Sequence, residues 1–180
     1  MRDRVVIVEI PLNTVNRWLS DPRQIQPQGL APDRLTPEWI ANRLDLFFTF
    51  TLPSLRQQTN QDFTAVVLYD PLSRSIIMEE LRKRPPLPAN IQFITQTEFF
   101  ALEDALIEHC RYYCYVFLGS DDMYHRTFMQ SLHDYEPHAP WVTLVPQYGY
   151  AYISPQDRLG QLFFWLPSYG AIIDVYKRQE

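Results

Sequence analysis

Continuous apolar runs alternate with helix-like segments from the start of the chain as far as Leu118. Runs such as Val5-Val6-Ile7-Val8 are typical of strands buried on both faces, whereas apolar residues spaced three or four apart indicate helices packed against such strands. The predicted elements follow the order βαβαβαβ: Val5 to Ile10, Trp39 to Leu55, Phe63 to Tyr69, Ile76 to Arg84, Ile91 to Thr95, Phe99 to His109 and Tyr113 to Leu118. This order predicts the α/β class, a three-layer α/β/α arrangement with a mostly parallel sheet.

Polar residues and prolines mark where these helices should begin and end. Thr36, followed by proline and an acid, offers an N-cap for the first helix. Pro53 should kink or restart that helix, because proline has no backbone N–H to donate. Ser73 and Thr97 are placed to cap the second and third helices, and a further helix is expected to begin at Met123.

The pattern changes after Pro140. Trp141 to Val145 is predicted to be a strand, and Gln147 to Tyr152 alternates aromatic with small or polar residues, as a half-exposed hairpin strand would. Leu162 to Trp165 is a further candidate strand. We expect these segments to add antiparallel strands that wall a cleft with aromatic rings. Earlier in the chain, Asn13 to Thr36 has no periodicity, and it is interpreted either as a mobile active-site loop or as a surface insertion.

The length and composition limit the classes of function. A chain of 180 residues is long enough for one domain with a sizeable core, and a net charge of −5 does not favour nucleic acid as a partner. The longest early apolar run, Val5 to Ile10, is too short for a secretory signal or a transmembrane segment, which predicts a cytoplasmic protein. Cys110 and Cys114 are expected to be buried thiols.

Two adjacent acids follow the last predicted strand of the repeating pattern, in the segment Gly119-Ser120-Asp121-Asp122. Open α/β sheets bind their ligands at the carboxyl edge, and carboxylate oxygens are the ligands that hard divalent cations prefer. Asp121 and Asp122 are therefore candidates for holding Mg²⁺ or Mn²⁺ together with a diphosphate. The alternative is that they cap the helix that follows, where an aspartate is common without any metal.

Other polar residues are predicted at the same edge. Asp70 ends the second strand and either accepts hydrogen bonds from a nucleotide or forms an ordinary Asp-Pro turn. Glu9 and Asn13 lie at and just beyond the end of the first strand; Glu9 either faces a partner or ligand, or points to solvent. His125 is either a third ligand, four residues after Asp121 in a predicted helix, or a surface histidine.

Several phosphate-binding and catalytic motifs are missing from the sequence. It contains no G-x-G-x-x-G, no phosphate-binding GKS or GKT loop, no G-x-S-x-G and no H-E-x-x-H. With only 5 glycines, the chain cannot supply a glycine-rich phosphate cradle. A bound phosphate would have to be held by a metal ion and by Arg or Lys side chains.

The segment from Leu46 to Asp70, LFFTFTLPSLRQQTNQDFTAVVLYD, resembles the helix-strand segment of GT-A type glycosyltransferases, and most closely that of the rhamnosyltransferase group. Its most specific part is P-S-L-x-x-Q-T, from Pro53 to Thr59. Two weaker similarities follow: Gly119 to Met123 resembles an acidic D-x-D-D motif, and Tyr148-Gly149-Tyr150 resembles a later G-Y strand. The resemblance covers about Val5 to Tyr152.

The resemblance implies a single domain with the nucleotide-diphospho-sugar transferase fold. It implies transfer of a sugar, with rhamnose as a candidate, from a nucleotide-sugar donor to a glycan or a lipid-linked acceptor, in the cytoplasm or peripherally at the inner membrane face. It also implies a divalent cation held by Asp121 and Asp122. The residues expected to contact substrate are Glu9, Asn13, Asp70, Ser120, Asp121, Tyr148 and Tyr150, with Trp165 as a further stacking surface; core packing is the alternative for the aromatic residues.

This sequence departs from the family pattern in two places. Gly119 stands where an aspartate usually opens the acidic motif, and Pro11-Leu12-Asn13 keeps only the asparagine of an Arg-Phe-Asn segment. A non-catalytic nucleotide- or sugar-binding domain on the same scaffold is therefore the alternative function. Family members generally extend further, so residues 1–173 are expected to form a domain incomplete at its C-terminus. Residues 174–180 include DVYKRQ, a peptide that a sequencing adapter would encode, and are expected to be an artefact.

Overall fold

A computed structural model describes residues 2–14, 32–108, 110–153, 156–163 and 171–175. Its strands are β1 Arg2–Pro11, β2 Thr64–Tyr69, β3 Ile91–Thr95, β4 Cys110–Phe117, β5 Trp141–Leu144, β6 Tyr148–Ile153, β7 Arg158–Phe163 and β8 Ala171–Val175. Its α-helices are α1 Pro37–Leu46, α2 Leu52–Arg56, α3 Arg74–Arg82, α4 Gln96–Ile107 and α5 Phe128–Asp134. Most of the segment Asn13 to Thr36, and Trp165, lie outside the described residues.

Six of the described strands form one sheet in the order β3-β2-β1-β4-β8-β5. Strands β1 to β4 pair in parallel, and β8 pairs antiparallel with both of its neighbours. This arrangement confirms the predicted α/β class and the mostly parallel sheet. The chain moves from β1 to β2 and β3 on one side and then crosses back to β4 on the other, so the switch point of the topology lies between β1 and β4.

The core lies on both faces of this sheet. On one face, the side chains of Val6, Val8 and Ile10 belong to a cluster with residues of α1, α2, α3 and α5. On the other, Val5 and Ile7 cluster with Phe99 of α4. Because β1 is buried on both faces, its run of apolar residues has no polar alternation, which confirms the prediction of helices on both sides.

The long predicted helix from Trp39 to Leu55 is interrupted as expected. A π-helical turn, Phe47–Thr51, separates α1 from α2, and Pro53 lies in the first turn of α2. Proline cannot donate to the carbonyl four residues earlier, so the regular α-helical bonding pattern cannot run through it. Thr51 is the last residue of the π-helical turn, and its hydroxyl donates to the Asp122 carbonyl, in the loop after β4, at 2.9 Å.

Two of the predicted helix caps differ from the structure. Thr95, not Thr97, caps α4, in a capping box in which Glu98 accepts from the backbone N–H of Thr95 at 2.7 Å. Ser73 occupies the N-cap position of α3, but its side chain makes no cap hydrogen bond. Its hydroxyl instead accepts a hydrogen bond from Asn13 at 2.7 Å.

The helix expected from Met123 is also wrong, since α5 begins at Phe128. Residues 121–127 form a loop. The Tyr124 ring stacks on Phe128 with 3.9 Å between ring centroids, and its hydroxyl donates to the carbonyl of Phe117 at 2.7 Å. These side-chain contacts hold the segment against the end of β4, and the two acids therefore do not cap a helix.

The later strands divide between two sheets. The predicted strand at Trp141 is β5, at the edge of the main sheet, whereas β6 and β7 pair only with each other among the described strands. Strand β7 contains the first two residues of the predicted strand Leu162 to Trp165, and the other two lie outside the described residues. Strand β8 includes Asp174, which pairs with Tyr113.

Cys110 and Cys114 both lie in β4 as buried free thiols, as predicted. Burial raises the pKa of Cys114 to about 12, so this thiol stays protonated at neutral pH. In the part of the chain that the structure describes, no helix has the length and apolar character needed to cross a membrane.

We expect Leu44→Ala and Leu72→Ala, the same substitution at two depths, to differ strongly in stability. Leu44 is 0% exposed in α1 and Leu72 is 79% exposed. Leu44→Ala should lower the free energy of unfolding by about 2–5 kcal/mol, since it leaves a cavity, and Leu72→Ala should change it by less than about 0.5 kcal/mol. Urea unfolding followed by tryptophan fluorescence measures both; similar losses would contradict the placement of α1 on the core.

Candidate functional site

Polar residues from three parallel strands meet at the carboxyl edge of the main sheet. Asn13 follows β1, Asp70 follows β2, and Ser120 and Asp121 follow β4. Because the three strands are parallel and adjacent, Asp70 and Asp121 lie beyond the same edge, on either side of the central strand. This edge is where open α/β sheets bind ligands.

Asn13 is buried and uses its amide to join the loops of this edge. Its Oδ1 accepts from the backbone N–H of Asp70 at 3.0 Å, and its Nδ2 donates to Ser73 Oγ at 2.7 Å and to the carbonyl of Arg34 at 3.1 Å. Both ends of the amide therefore bond to protein groups. Asn13 therefore holds the backbone of Asp70 in position.

Asp70 forms an Asp-Pro turn, which is one of the two interpretations of its sequence. Its Oδ1 accepts from the backbone N–H of Leu72 at 2.9 Å and caps the short 3-10 helix Pro71–Ser73. No hydrogen bond from another described residue reaches its second oxygen. The residue is half-buried, and the oxygen that bonds to Leu72 fixes the turn.

Arg43, which the sequence analysis missed, is the cation of this site. Its Nη1 and Nη2 donate to the two carboxylate oxygens of Asp121 at 2.9 and 3.0 Å, and its Nε donates to Ser120 Oγ at 2.8 Å. Arg43 precedes the buried Leu44 in α1, at the border of the stripe that packs on the sheet. Two features of the sequence could have identified Arg43. It lies at the border of the apolar stripe of α1, and the chain has no glycine-rich loop, which leaves phosphate binding to Arg or Lys side chains.

Asp122 lies in a turn that depends on the glycine at position 119. The backbone N–H of Asp122 donates to the Gly119 carbonyl at 3.1 Å. A Cβ atom at residue 119 would collide with the Asp122 carboxylate and would lie 3.2 Å from Asp121 Oδ1. The two carboxylates thus converge over the glycine, in space that a side chain at position 119 would otherwise take.

This convergence changes the electrostatics of Asp122. Although the residue is exposed, its carboxylate folds back over the turn. Partial desolvation, and then the negative charge of Asp121, raise the pKa of Asp122, while Arg43 opposes the shift. A divalent cation between the carboxylates would relieve this repulsion, so the donor atoms present fit such an ion.

The loop that carries these acids is held by the segment whose sequence resembled the glycosyltransferases. Gln58 donates to the carbonyl of His125 and accepts from the backbone N–H of Met129, at 3.0 and 3.1 Å. The backbone N–H of Thr59 donates to the carbonyl of Arg126 at 2.8 Å. Gln58 is buried. Gln58 and Thr59, the Gln-Thr pair of P-S-L-x-x-Q-T, therefore hold residues 119–127 in place. We call residues 119–127 the acidic loop and this pair the clamp.

The structure decides one of the two alternatives for Glu9 and removes the helical spacing expected for His125. Glu9 is 1% exposed, so the interpretation that it points to solvent is wrong. By strand alternation it lies on the face of Val5 and Ile7, which packs against α4. His125 is exposed and contacts Thr127 Oγ1 at 2.9 Å. Since no helix contains both it and Asp121, the helical spacing that would have paired them does not exist.

No group of three or more His, Cys, Asp or Glu side chains suited to a metal is present among the described residues. A cation at this edge would therefore have few protein ligands. Mg²⁺ commonly takes only one or two protein carboxylates and completes its coordination with phosphates and water.

The aromatic residues of β6 lie on the surface rather than in the core. Tyr148 and Tyr150 are 70% and 73% exposed, so core packing is wrong for both. They share a face of the hairpin with Tyr152, whose ring lies 6.4 Å from that of Phe50. Phe50 belongs to the same π-helical turn as Thr51, and the hairpin therefore borders the segment that holds Asp122.

Part of the chain matches a known family. Residues 31–97 match the model of a family described as putative rhamnosyl transferase. The matched segment runs from the start of α1 into α4, so it contains Arg43, the clamp residue Gln58 and Asp70, and it ends before Gly119. The match supports a rhamnosyltransferase-like glycosyltransferase family. No match was found among curated proteins.

Substitution of the two acids should have different effects on stability. Because the pKa of Asp122 is raised in the folded state, its ionisation opposes folding as pH rises above the ordinary carboxyl pKa. Asp122→Asn should therefore raise the unfolding midpoint at pH 7, with a gain that shrinks as the pH falls toward about 4. Asp121→Asn should change the midpoint little, since the loss of a partly exposed ion pair with Arg43 is offset by the loss of repulsion at Asp122.

Urea unfolding of both variants and the native protein at several pH values between about 4 and 7 checks this prediction. A loss of stability in Asp122→Asn at pH 7 would show that the carboxylate is not under electrostatic strain.

The clamp can be tested with two adjacent glutamines. Gln58→Ala removes the bonds to His125 and Met129 and should cost about 1–3 kcal/mol, because buried backbone groups lose their partners. Gln57 is exposed, and Gln57→Ala should change the free energy of unfolding by less than about 0.5 kcal/mol. Hydrogen exchange should also accelerate at the amides of Thr59 and Met129 in Gln58→Ala alone. Equal effects of the two substitutions would refute the clamp.

Proposed function

We propose that this chain transfers a sugar, with rhamnose as the first candidate, from a nucleotide-diphosphate donor to a hydroxyl of a glycan or lipid-linked acceptor. The observation that carries the proposal is the family match over residues 31–97, because three of its residues act at one edge of the sheet. Arg43 pairs with Asp121, Gln58 holds the acidic loop, and Asp70 follows β2. The GT-A type of transferase is part of the same proposal.

In this proposal the nucleotide lies beside β1 and β2. Asp70 keeps one carboxylate oxygen for the hydroxyls of a ribose or the N–H groups of a base, and Asn13 fixes the backbone of Asp70. Acids at the ends of strands bind ribose hydroxyls in other nucleotide-binding α/β sheets. The diphosphate would then extend across the switch point toward β4 and the acidic loop.

Asp121 and Asp122 would hold Mg²⁺ or Mn²⁺ at the position where their carboxylates converge over Gly119. When bound, the cation supplies positive charge to the diphosphate leaving group. Ser120 is buried and accepts from Arg43, so its role here is to orient that guanidinium. During transfer the acceptor oxygen forms a bond to the anomeric carbon, the bond to the diphosphate oxygen breaks, and the acceptor proton passes to a general base.

The exposed tyrosines are proposed to contact the acceptor. Tyr148 and Tyr150 present rings and hydroxyls on one face of β6, and aromatic rings with a polar group suit the mixed surface of a sugar. Through Tyr152 and Phe50 this face is continuous with the turn that holds the acidic loop.

A non-catalytic nucleotide- or sugar-binding domain is the second candidate. Two observations favour it: Gly119 lacks the carboxylate that the family pattern has there, and both oxygens of Asp121 are already bonded to Arg43. Such a domain would bind the nucleotide at the same edge without releasing it from a sugar.

The decisive experiment measures nucleotide release from a panel of nucleotide-diphosphate sugars, with and without Mn²⁺, in the presence of glycan acceptors. We expect release that depends on the cation and falls by at least about 100-fold in Asp122→Asn, the size of loss that follows removal of a charge-stabilising group. Asp104→Asn, an exposed acid of α4, is the matched control and should keep the native rate.

Three outcomes separate the candidates. Binding of nucleotide diphosphates without release would favour the binding domain. Equal release in Asp122→Asn and Asp104→Asn would remove Asp122 from the site. No binding of any nucleotide would exclude both functions.

The tyrosines are tested separately. With an acceptor that the panel identifies, Tyr148→Ala and Tyr150→Ala should each raise the acceptor KM.

A further inference from the structure

The guanidinium of Arg43 retains donors after its contacts with the acidic loop are made. An arginine side chain has five N–H groups. Three of those in Arg43 donate to Ser120 and Asp121. The other two, one on each terminal nitrogen, have no hydrogen-bond partner in the described part of the chain. The side chain is 26% exposed, so a ligand at the edge can reach it.

The contacts of Arg43 fix its orientation. Ser120 is fully buried and binds Nε, while Asp121 binds both terminal nitrogens. The helix α1 that carries Arg43 is itself anchored in the core through Ile40 and Leu44. A guanidinium held in this way loses little conformational entropy when it binds an anion, because its rotamer is already selected.

Charge favours a phosphate as the ligand of these donors. Each free N–H can donate a charge-assisted hydrogen bond to a phosphate oxygen, and the charge of the guanidinium does not depend on pH. An exposed ion pair contributes little to stability, so a diphosphate can share or replace the contact with Asp121 at small cost. Arg74, another arginine near this edge, is paired instead with Glu98 of the α4 capping box.

We infer that Arg43 binds the diphosphate of the donor directly and supplies positive charge there in addition to that of a cation held by Asp121 and Asp122. The inference rests on the proposed function, since it assigns the diphosphate to the same edge. It makes part of the diphosphate affinity independent of divalent cations. It also requires that affinity follow the phosphates, so that a nucleoside diphosphate binds more tightly than the corresponding nucleoside.

Calorimetric titration of the full chain with UDP, dTDP and GDP, in EDTA and in Mn²⁺, tests this inference. For the nucleotide that binds best, Arg43→Gln should weaken binding in EDTA by roughly 10- to 100-fold, the range expected for a charged hydrogen bond. Arg43→Lys keeps the charge but not the planar fork and should fall between Arg43→Gln and the native protein. Arg82→Gln, at an exposed arginine of α3, is the control and should bind as the native protein does.

A second measurement distinguishes direct contact from an effect through Asp121. Mn²⁺ binding without nucleotide, followed by electron paramagnetic resonance, should be unchanged or tighter in Arg43→Gln, because a positive charge has been removed beside the carboxylates. Weaker Mn²⁺ binding would mean that Arg43 only positions Asp121, and would overturn the inference.

The remaining outcomes separate the inference from the proposed function. Nucleotide binding that is seen only with Mn²⁺, or that is equal in Arg43→Gln, Arg43→Lys and Arg82→Gln, would overturn the role of Arg43 and leave glycosyl transfer standing. If the native protein binds no nucleotide in either buffer, the proposed function itself fails.

Discussion

The parallel pairing of β1 with β2 on one side and β4 on the other is the constraint on which the rest of this molecule depends. Parallel strands end at a common edge, so the residues that follow them are brought together although they are distant in sequence. Asn13, Asp70 and Asp121 meet there for this reason. The pairing requires β1 to be buried on both faces, and the helices around it supply that burial. The polar residues at this edge are thus positioned by a strand whose own side chains are mostly buried in the core.

The acidic loop is held mainly by a segment far from it in sequence. Thr51, Gln58 and Thr59 bond to its backbone, and Arg43 bonds to its side chains. Helix α1 ends at Leu46, and Thr51 is the last residue of the π-helical turn that follows it. The contacts of this segment explain how a family match that ends at residue 97 can bear on acids that lie beyond it. The matched residues build the support for the loop.

The site is assembled at some cost in stability. Asp121 and Asp122 converge over Gly119, and partial desolvation, followed by the negative charge of Asp121, raises the pKa of Asp122. Arg43 opposes this shift but pairs with only one of the two carboxylates. Functional sites commonly retain such unfavourable electrostatics, since a ligand of opposite charge relieves them on binding. In the proposed enzyme the divalent cation would do so.

The sequence by itself determined the α/β class, the parallel order of the first strands and the edge at which Asp70 and Asp121 lie, because continuous apolar runs and their alternation with helices depend on local spacing. It also located the P-S-L-x-x-Q-T segment. Only the tertiary structure decided that the acids lie in a loop rather than at a helix terminus, that Arg43 pairs with Asp121, and that Tyr150 is exposed. These features depend on contacts between residues some 80 positions apart, such as Arg43 and Asp121 with a separation of 78. Local periodicity carries no information about such contacts, since they are set by the packing of α1 against the sheet.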